Sequence, residues 1–273
     1  MKFNRKKSIA LYVILGIVAL ICILPFYMML TMSTQYTEDI YKGITLLPGK
    51  YLLDNLKTVF NAHFEVYYRN SLIVSLSTTV LSAIVSTLCG YGLAKYKFPG
   101  RSFIFGFIMV TMMIPTQLGL VAFVVEMKHF GWMGTLLPLI IPSAASGFGV
   151  YWMRNYIDSG IPTELLESGR IDGAGEFRIL GSIVVPCIKP AVMSLSLMNF
   201  VTSWNSYLLP LIVLNKNETY TVPIGIVNLN SAYRNDLAAK ITALSIGIIP
   251  LLILFLLTSK SFIKGITMGA VKG

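Results

Sequence analysis

Six long stretches of the chain contain no Asp, Glu, Lys or Arg, and they constrain the fold more than any other feature. A helix that crosses a membrane needs about 20 mostly apolar residues, and each stretch has at least 19. The uncharged stretches cover residues 8–37, 70–94, 102–125, 130–153, 190–215 and 241–259. They predict an all-α membrane protein with six transmembrane helices, at about 9–31, 70–94, 103–125, 132–153, 190–214 and 241–259.

The composition agrees with a membrane protein whose nonpolar faces meet membrane lipid. The 273 residues are 55% apolar and only 12% charged, whereas about 25% of the residues of a soluble domain are charged. The formal net charge of +10 does not indicate a nucleic-acid partner, because no basic run is interleaved with aromatic residues. We therefore assign the excess of Lys and Arg to the loops that set membrane topology.

The residues that usually bind metals or catalyse reactions are scattered. Cys22, Cys89 and Cys187 lie in apolar sequence without CxxC or Cys/His spacing, and His63 and His129 are isolated. No metal site and no catalytic residue is predicted. The chain also lacks the G-x-x-x-x-G-K-[ST] phosphate-binding loop, so no ATP site of that kind is predicted within it.

The distribution of basic residues predicts the orientation in the membrane. With a cytoplasmic N-terminus, the inside segments hold 14 of the 22 Lys and Arg residues. By the positive-inside rule, residues 1–7 form a cytoplasmic N-terminus, the spans lie within 8–262, and 263–273 form a cytoplasmic tail. The first apolar run is too long for a signal peptide, so it is predicted to be an uncleaved span.

Two outer loops have local patterns. The sequence "YLLDNLKTVF" (51–60) predicts an interfacial helix with Asp54 as its N-cap. The sequence "NETYTVPIGI" (217–226) predicts an extended piece followed by a turn, because of its Thr, Tyr and Val content and Pro223.

Polar residues form stripes within two of the predicted spans. Ser71, Ser75, Thr78, Ser82 and Ser86 recur on one face of the second span, which favours close helix packing over a pore lining. In the fifth span, Ser196, Asn199, Ser203 and Ser206 recur at helical spacing beside Trp204, Asn205 and Tyr207. Two interpretations of this face of the fifth span remain open: packing against another helix, or contact with a sugar. The candidate residues of a translocation path are Asn199, Ser203, Trp204 and Asn205.

The sequence "ELLESGRIDGAGEF" (164–177) places charges and glycines between apolar stretches. Pro162 is expected at the first position of a helix that stops near Asp172–Gly173. A second helix, capped by Asp172, is expected to run to Pro186. The loop 154–189 is thus predicted to form a helix–turn–helix on the cytoplasmic face.

This loop resembles the EAA loop of ABC importer permeases, E-A-A-x3-G-x9-I-x-L-P. Glu167, Gly173, Ile183 and Pro186 match that pattern, whereas Ser168, Gly169 and Val185 depart from it. Gly169 is expected to loosen the end of the first helix and to end it early. Further motifs resemble the permease subunits of carbohydrate ABC importers of the maltose and oligosaccharide type, in particular the second permease subunit. They are "RNSLIVS", "AKYKFPGRS", "MMIPTQ", "SWNSYLLPLIVL", "YTVPIGI" and "FIKGITMGAVKG".

The resemblance implies the type I permease fold of ABC importers and a transport role without enzymatic activity. The implied partners are a second permease, an ABC ATPase dimer that binds the ATP, an extracytoplasmic solute-binding protein and a sugar, at a bacterial plasma membrane. By resemblance, residues 163–176 form the coupling helix. Its ATPase-coupling residues are Glu164, Glu167, Ser168, Arg170, Asp172, Gly173 and Ala174.

Three alternatives remain open. The solute could be another polar molecule such as a glycerol phosphate. A stand-alone channel or ion-coupled carrier would need charged residues within the spans or a selectivity constriction, and the sequence indicates neither. A membrane-embedded enzyme would need paired His or acidic residues within the spans, and none is present there.

Overall fold

The computed structural model describes residues 5–43, 46–231 and 234–258, and this part of the chain is mainly helical. The first elements are α1 (Arg5–Met32), α2 (Thr37–Lys42), α3 (Leu52–Asn61), α4 (Phe64–Lys95), α5 (Arg101–Met113), α6 (Leu120–His129), α7 (Leu137–Ile140) and α8 (Gly147–Gly160). The chain continues with α9 (Thr163–Ile171), α10 (Glu176–Ile179), α11 (Val185–Cys187), α12 (Lys189–Trp204), α13 (Leu208–Val213), α14 (Val222–Asn228), β1 (Asn230–Ser231), β2 (Arg234–Asn235) and α15 (Leu237–Gly247). The two strands pair antiparallel.

Three helical stretches among the described residues are long and apolar enough to cross a membrane alone. They are Leu11–Met32, Phe64–Lys95 and Leu237–Thr258, and they coincide with the first, second and sixth predicted spans. Residue 259 of the sixth predicted span lies outside the described residues, as do residues 1–4 and the predicted tail, 263–273.

The other predicted spans are interrupted. Arg101–Met113 and Thr116–His129 form a pair of helices bent by 90°, and Glu176–Cys187 and Lys189–Trp204 form a pair bent by 79°. The two helices of each pair are together long and apolar enough to be one broken span. The predicted fourth span is divided between α7, a 3₁₀ turn at Pro142–Ala144 and α8.

Proline accounts for part of this pattern, since it has no N–H to donate to a helix. Breaks occur at Pro115 and Pro142, whereas Pro25 lies inside a continuous helix. The helices at 103–125 and 132–153 are therefore interrupted, and the division into six spans stays a prediction.

The contacts divide the chain into two compact units, and the predicted single permease domain stays a prediction. The first unit contains residues 1–65 and 225–249. In it, the buried Asn55 side chain donates hydrogen bonds of 2.8 Å to the carbonyls of Ser33 and Gln35. Thr37 donates to Asp236, whose carboxylate also caps α15 by accepting from the Ala239 N–H.

The predicted cap of the helix at 51–60 was wrong. Helix α3 begins at Leu52, its N-cap is Tyr51, and Asp54 lies within its first turn. The expectation for 217–226 was also wrong, because a 3₁₀ turn at Asn217–Thr219 leads into α14, with Pro223 inside that helix.

The second unit contains residues 66–224 and 250–273. Its main core joins the end of α4 to α8, α9 and the start of α12. Tyr91, Met153, Ile157, Leu166 and Leu195 are among its buried side chains. This core supports the first of the two sites described below, the segment around α9.

Candidate functional site

The segment between α8 and α10 forms the predicted helix and turn, and we call residues 163–177 the central segment. Helix α9 runs from Thr163 to Ile171, so its first residue is Thr163 and its N-cap is Pro162. The sequence predicted Pro162 as the first residue of the helix. Gly173 follows with φ of +79°. Its N–H donates to the Arg170 carbonyl at 3.0 Å, and the Ala174 N–H donates to the Gly169 carbonyl at 3.0 Å. This pair of hydrogen bonds is a Schellman motif, which requires a left-handed residue and therefore favours glycine.

Two expectations about this segment were wrong. Gly169 does not end the first helix early, because α9 continues to Ile171. Asp172 does not cap the second helix either. It ends α9, and the N-cap of α10 is Gly175. Beyond α10 the chain continues through a π-helical turn at Leu180–Val184 and through α11 to Cys187.

One face of the central segment is buried against the core of the second unit. Leu166 is fully buried with Ile179 and Met153. Gly169 is buried as well, and a Cβ atom placed there would lie 3.0 Å from the Cδ1 of Ile183. Gly169, where the EAA pattern has alanine, therefore lies at the point where α9 packs closely on Ile183 of the π-helical turn.

The opposite face of the central segment is exposed. It carries six of the seven residues assigned to coupling by resemblance: Glu164, Glu167, Ser168, Arg170, Asp172 and Gly173. The seventh, Ala174, is half-buried against the core. Two apolar side chains that the sequence analysis did not select, Ile171 and Phe177, are each 86% exposed. A sequence signal was available for Ile171, since it lies in the same helix as Leu166 and Gly169 but not on their face.

A carboxylate outside the sequence-based selection holds this segment to α4. Glu176 accepts a hydrogen bond of 2.7 Å from Arg170 Nε and one of 3.1 Å from the Tyr91 hydroxyl. The Tyr96 hydroxyl donates to the same carboxylate. Hydrogen bonding from Arg170, followed by that from Tyr96, lowers the pKa of Glu176 to about 2. The pKa of Tyr96 is raised, first by burial and then by its bond to Glu176.

Helix α4 also packs closely on α8. Lys95 Nζ donates 2.6 Å to the Ile161 carbonyl, just beyond the end of α8. A Cβ atom at Gly90 would lie 2.8 Å from the backbone nitrogen of Arg154 and from the Cβ of Met153. Glycine at 90 therefore permits an approach that no other residue allows without a backbone shift.

A cavity of about 500 Å³ lies elsewhere in the second unit, and we call it the polar cavity. Eleven of its 17 lining residues carry a hydroxyl group and one carries an amide, whereas none of the 17 is charged. One wall is α4, which contributes Ser71, Ser75, Thr78 and Ser82. The facing wall contains Asn199, Thr202, Ser203 and Ser206.

The interrupted spans all reach the polar cavity. Thr116 follows the break at Pro115, Ser143 and Ser146 flank the break between α7 and α8, and Ser206 lies between α12 and α13. Non-helical backbone at membrane depth is tolerated where it is enclosed by protein or lines a water-filled cavity. The breaks at Pro115, between α7 and α8, and between α12 and α13 therefore surround one polar space.

Hydrogen bonds within the polar cavity link its walls. The Asn199 amide donates to the Ser82 hydroxyl at 3.0 Å, and the Val222 N–H donates to the Ser71 hydroxyl at 2.8 Å. The hydroxyls of Ser75 and Thr221 are buried and have no hydrogen-bond partner within the described part of the chain.

The structure separates the four candidates for a translocation path. Asn199 and Ser203 line the polar cavity. Trp204 is buried and stacks on Phe200 with a centroid distance of 5.7 Å. Asn205 donates to the Val201 carbonyl at 2.9 Å. Neither Trp204 nor Asn205 is among the cavity-lining residues.

The stripe on α4 also divides into two parts. Four of its members line the polar cavity, whereas Ser86 lies against Gly149 on α8. Close packing, which the sequence analysis favoured, therefore describes the end of the stripe near the central segment. Among the described residues, no three His, Cys, Asp or Glu side chains come together so as to hold a metal ion.

Comparisons with known proteins agree with this architecture. Residues 84–266 match the family model described as "Binding-protein-dependent transport system inner membrane component". The arabinooligosaccharides transport system permease protein AraQ of Bacillus subtilis (strain 168) is 34% identical, over 97% of this chain and 96% of AraQ. The maltodextrin transport system permease protein MdxG of the same organism is 31% identical, over 98% of this chain and 97% of MdxG.

A solved structure shows the same fold. One chain in the crystal structure of a bacterial ABC transporter involved in the import of the acidic polysaccharide alginate superimposes with a TM-score of 0.79. The match covers 96% of this chain and 98% of that chain at 24% sequence identity.

Proposed function

The chain belongs to the family of binding-protein-dependent transport system inner membrane components, and we propose that its cargo is a sugar or oligosaccharide delivered by an extracytoplasmic binding protein. It is a multi-pass membrane transport subunit of an ABC importer. Relatives similar over nearly the whole chain are named for arabinooligosaccharides and maltodextrin, and these names support an oligosaccharide as the solute.

The chemistry of the polar cavity supports the same solute class. Hydroxyl and amide groups exchange hydrogen bonds with sugar hydroxyls in both directions. A glycerol phosphate, the alternative polar solute, carries negative charge that needs a cationic partner when it leaves water. None of the cavity-lining residues is cationic, so the neutral solute is the better match.

The proposed assembly has four kinds of partner. This permease pairs with a second permease subunit, an ATPase dimer binds beneath them and holds the ATP, and the binding protein delivers the sugar. We place both termini and the central segment in the cytoplasm of a bacterial cell, because the positive-inside rule places most of the basic residues there.

The exposed face of the central segment is the observation that carries the coupling role. Ile171 and Phe177 are largely exposed apolar side chains beside Glu167, Arg170 and Asp172. An apolar anchor surrounded by polar residues is typical of a helix that docks in a groove of a partner. We assign this face to the ATPase, with contacts from Glu164, Glu167, Ser168, Arg170, Asp172 and Gly173. The half-buried Ala174 completes the set of coupling residues assigned by resemblance.

Co-purification tests this assignment. Phe177→Asp places a charge in the proposed groove, so we expect the amount of ATPase that purifies with the chain to fall at least tenfold. Phe177→Leu keeps an apolar anchor and should retain the ATPase. Leu53→Asp adds the same charge at another exposed apolar position, in α3, and should also retain it.

Two results would contradict the proposal. The first is normal recovery of the ATPase with Phe177→Asp together with normal uptake. The second is uptake of a sugar by vesicles that contain the chain without an ATPase and without ATP, which would indicate a stand-alone carrier.

A further inference from the structure

We propose that the polar cavity is a binding subsite for an uncharged polyhydroxylated solute, formed within this one permease subunit. The hydroxyls of Ser75 and Thr221 and the pair of Asn199 and Ser82 would bind that solute. This inference rests on the proposed function, because it names where and how the imported sugar contacts this chain.

The first observation is that two buried hydroxyls of the polar cavity have no hydrogen-bond partner in the described residues. Several buried hydroxyls in the helices of this chain donate to a carbonyl of the preceding turn. Examples are Ser194 to the Pro190 carbonyl at 2.9 Å and Thr242 to the Ala238 carbonyl at 2.8 Å. Ser75 is fully buried and Thr221 is 4% exposed, yet neither hydroxyl has a partner within the described part of the chain. Leaving a buried hydroxyl unpaired costs about 1–3 kcal/mol.

The second observation is that two of the three unpaired buried hydroxyls among the described residues, those of Ser75 and Thr221, belong to the same cavity. Ser75 lies on α4 and Thr221 lies just before α14, and both line the polar cavity. Residues from distant parts of the sequence thus bring unpaired hydrogen-bonding groups to one space. Its volume of about 500 Å³ lies within the range of sites for small molecules, about 300–1,000 Å³.

The third observation is the amide that crosses the cavity. Asn199 uses its N–H₂ group to donate to the Ser82 hydroxyl at 3.0 Å. This arrangement leaves the amide oxygen as an acceptor and the Ser82 hydroxyl proton as a donor. A sugar hydroxyl both donates and accepts, so it can bond to either group.

The lining also determines which solutes are disfavoured. An ion of either sign that enters a cavity without countercharges loses hydration that hydroxyl dipoles replace only in part. Because none of the lining residues is charged, the subsite should discriminate against carboxylated and phosphorylated sugars, independently of the selectivity of the binding protein.

Thiol modification tests access and charge selection without requiring transport. In the complete importer, with Cys22, Cys89 and Cys187 replaced by serine, Ser75→Cys and Thr221→Cys are treated with uncharged, cationic and anionic methanethiosulfonates of similar size. Ser159→Cys, at an exposed position of α8, corrects for the intrinsic reactivity of each reagent. Relative to that control, the uncharged reagent should react at least tenfold faster than either ion. Equal rates, or no modification at both positions, would overturn the proposal.

Transport kinetics test the binding role. The probe is maltotriose or arabinotriose, whichever the wild-type importer takes up with ATP. Removing one hydroxyl, by Ser75→Ala or Thr221→Val, should raise KM about fivefold, as the loss of one hydrogen bond of about 1 kcal/mol does, with the maximal rate retained. The matched control is Ser86→Ala, which removes another buried, unpartnered hydroxyl of the same stripe outside the cavity, and KM should not change.

The possible outcomes separate the two proposals. An unchanged KM in both cavity variants, or an equal rise with Ser86→Ala, means that the cavity holds only water, and the subsite is rejected. Absence of ATP-driven uptake of every neutral oligosaccharide tested counts against the proposed function, whereas the thiol-reagent ratios still decide whether the cavity selects uncharged molecules.

Discussion

The central segment and the polar cavity lie along different parts of helix α4, and their polar side chains differ in charge and in hydrogen bonding. In the central segment most polar side chains are charged and exposed, and Glu176 accepts hydrogen bonds from Arg170 and two tyrosines. In the polar cavity they are uncharged, and Ser75 and Thr221 are left without partners. The first pattern stabilises a defined shape for a partner in water, whereas the second leaves hydrogen-bonding capacity for a solute.

Helix α4 connects these two regions. Its residues 71–82 line the polar cavity, and Tyr91 and Lys95 bond to the central segment or to the end of α8. Between them, Gly90 lies against the backbone of α8. Helix α4 is therefore a packed element through which a movement of the central segment can reach the cavity. Each prediction below changes one part of this arrangement.

The largest effect is expected at the contact between α4 and α8. In Gly90→Ala the new Cβ atom would lie 2.8 Å from atoms of Met153 and Arg154, so the helices must separate. Overpacking of this kind costs about 1–3 kcal/mol. Thermal unfolding of the detergent-solubilised importer should show the loss. Gly92→Ala is the matched control, because a Cβ atom there meets no atom within 4 Å. Equal stability of the two variants would contradict the close contact.

A smaller effect is expected at the turn of the central segment. Gly173 has φ of +79°, which costs an L-residue about 1–2 kcal/mol. We expect Gly173→Val to disturb the exposed face and to lower uptake about tenfold, while KM for the solute stays unchanged. Gly173→Asn should keep at least half of the uptake, because asparagine tolerates this conformation. If the valine variant transports normally, the geometry of the turn does not matter for coupling.

The smallest effect is expected at Glu176. Its folded pKa of about 2 lies below the ordinary value of about 4.3, so its contribution to stability is present above about pH 5 and is lost as the pH falls towards 2. The difference in stability between wild type and Glu176→Gln should therefore be constant above pH 5 and vanish near pH 2. Unfolding measured against pH tests this.

Glu167→Gln removes the same charge from an exposed position in the same segment and should show a smaller difference. If the Glu176→Gln difference did not change between pH 5 and pH 2, the carboxylate of Glu176 would not be the group that holds the segment to α4.

Local sequence signals were sufficient for part of the structure. The apolar run and the polar stripe predicted α4, and the placement of Gly173 predicted the end of α9. Proline predicted helix breaks less well. Pro25 and Pro142 lie in similar apolar runs, but the helix is continuous at Pro25 and interrupted at Pro142. Whether a helix breaks depends on what the neighbouring segments offer to its backbone.

Long-range contacts could not be predicted from the sequence. Asn199 meets Ser82 across 117 residues, and Glu176 meets Tyr91 across 85 residues. Periodicity placed Asn199 and Ser82 each on a helical face, but it could not show that these faces enclose one cavity. Trp204 and Asn205 are candidates from the sequence because they lie between Ser203 and Ser206 of the stripe, and the cavity does not include them.

The most direct test compares uptake per ATP hydrolysed in two double variants of the reconstituted importer. If the central segment couples and the polar cavity binds the solute, Ile171→Asp with Phe177→Asp should lower the number of sugars moved per ATP and leave KM unchanged. Ser75→Ala with Thr221→Val should raise KM and leave the number per ATP at saturating sugar unchanged. The same defect in both double variants would contradict the separation of coupling and solute binding within this chain.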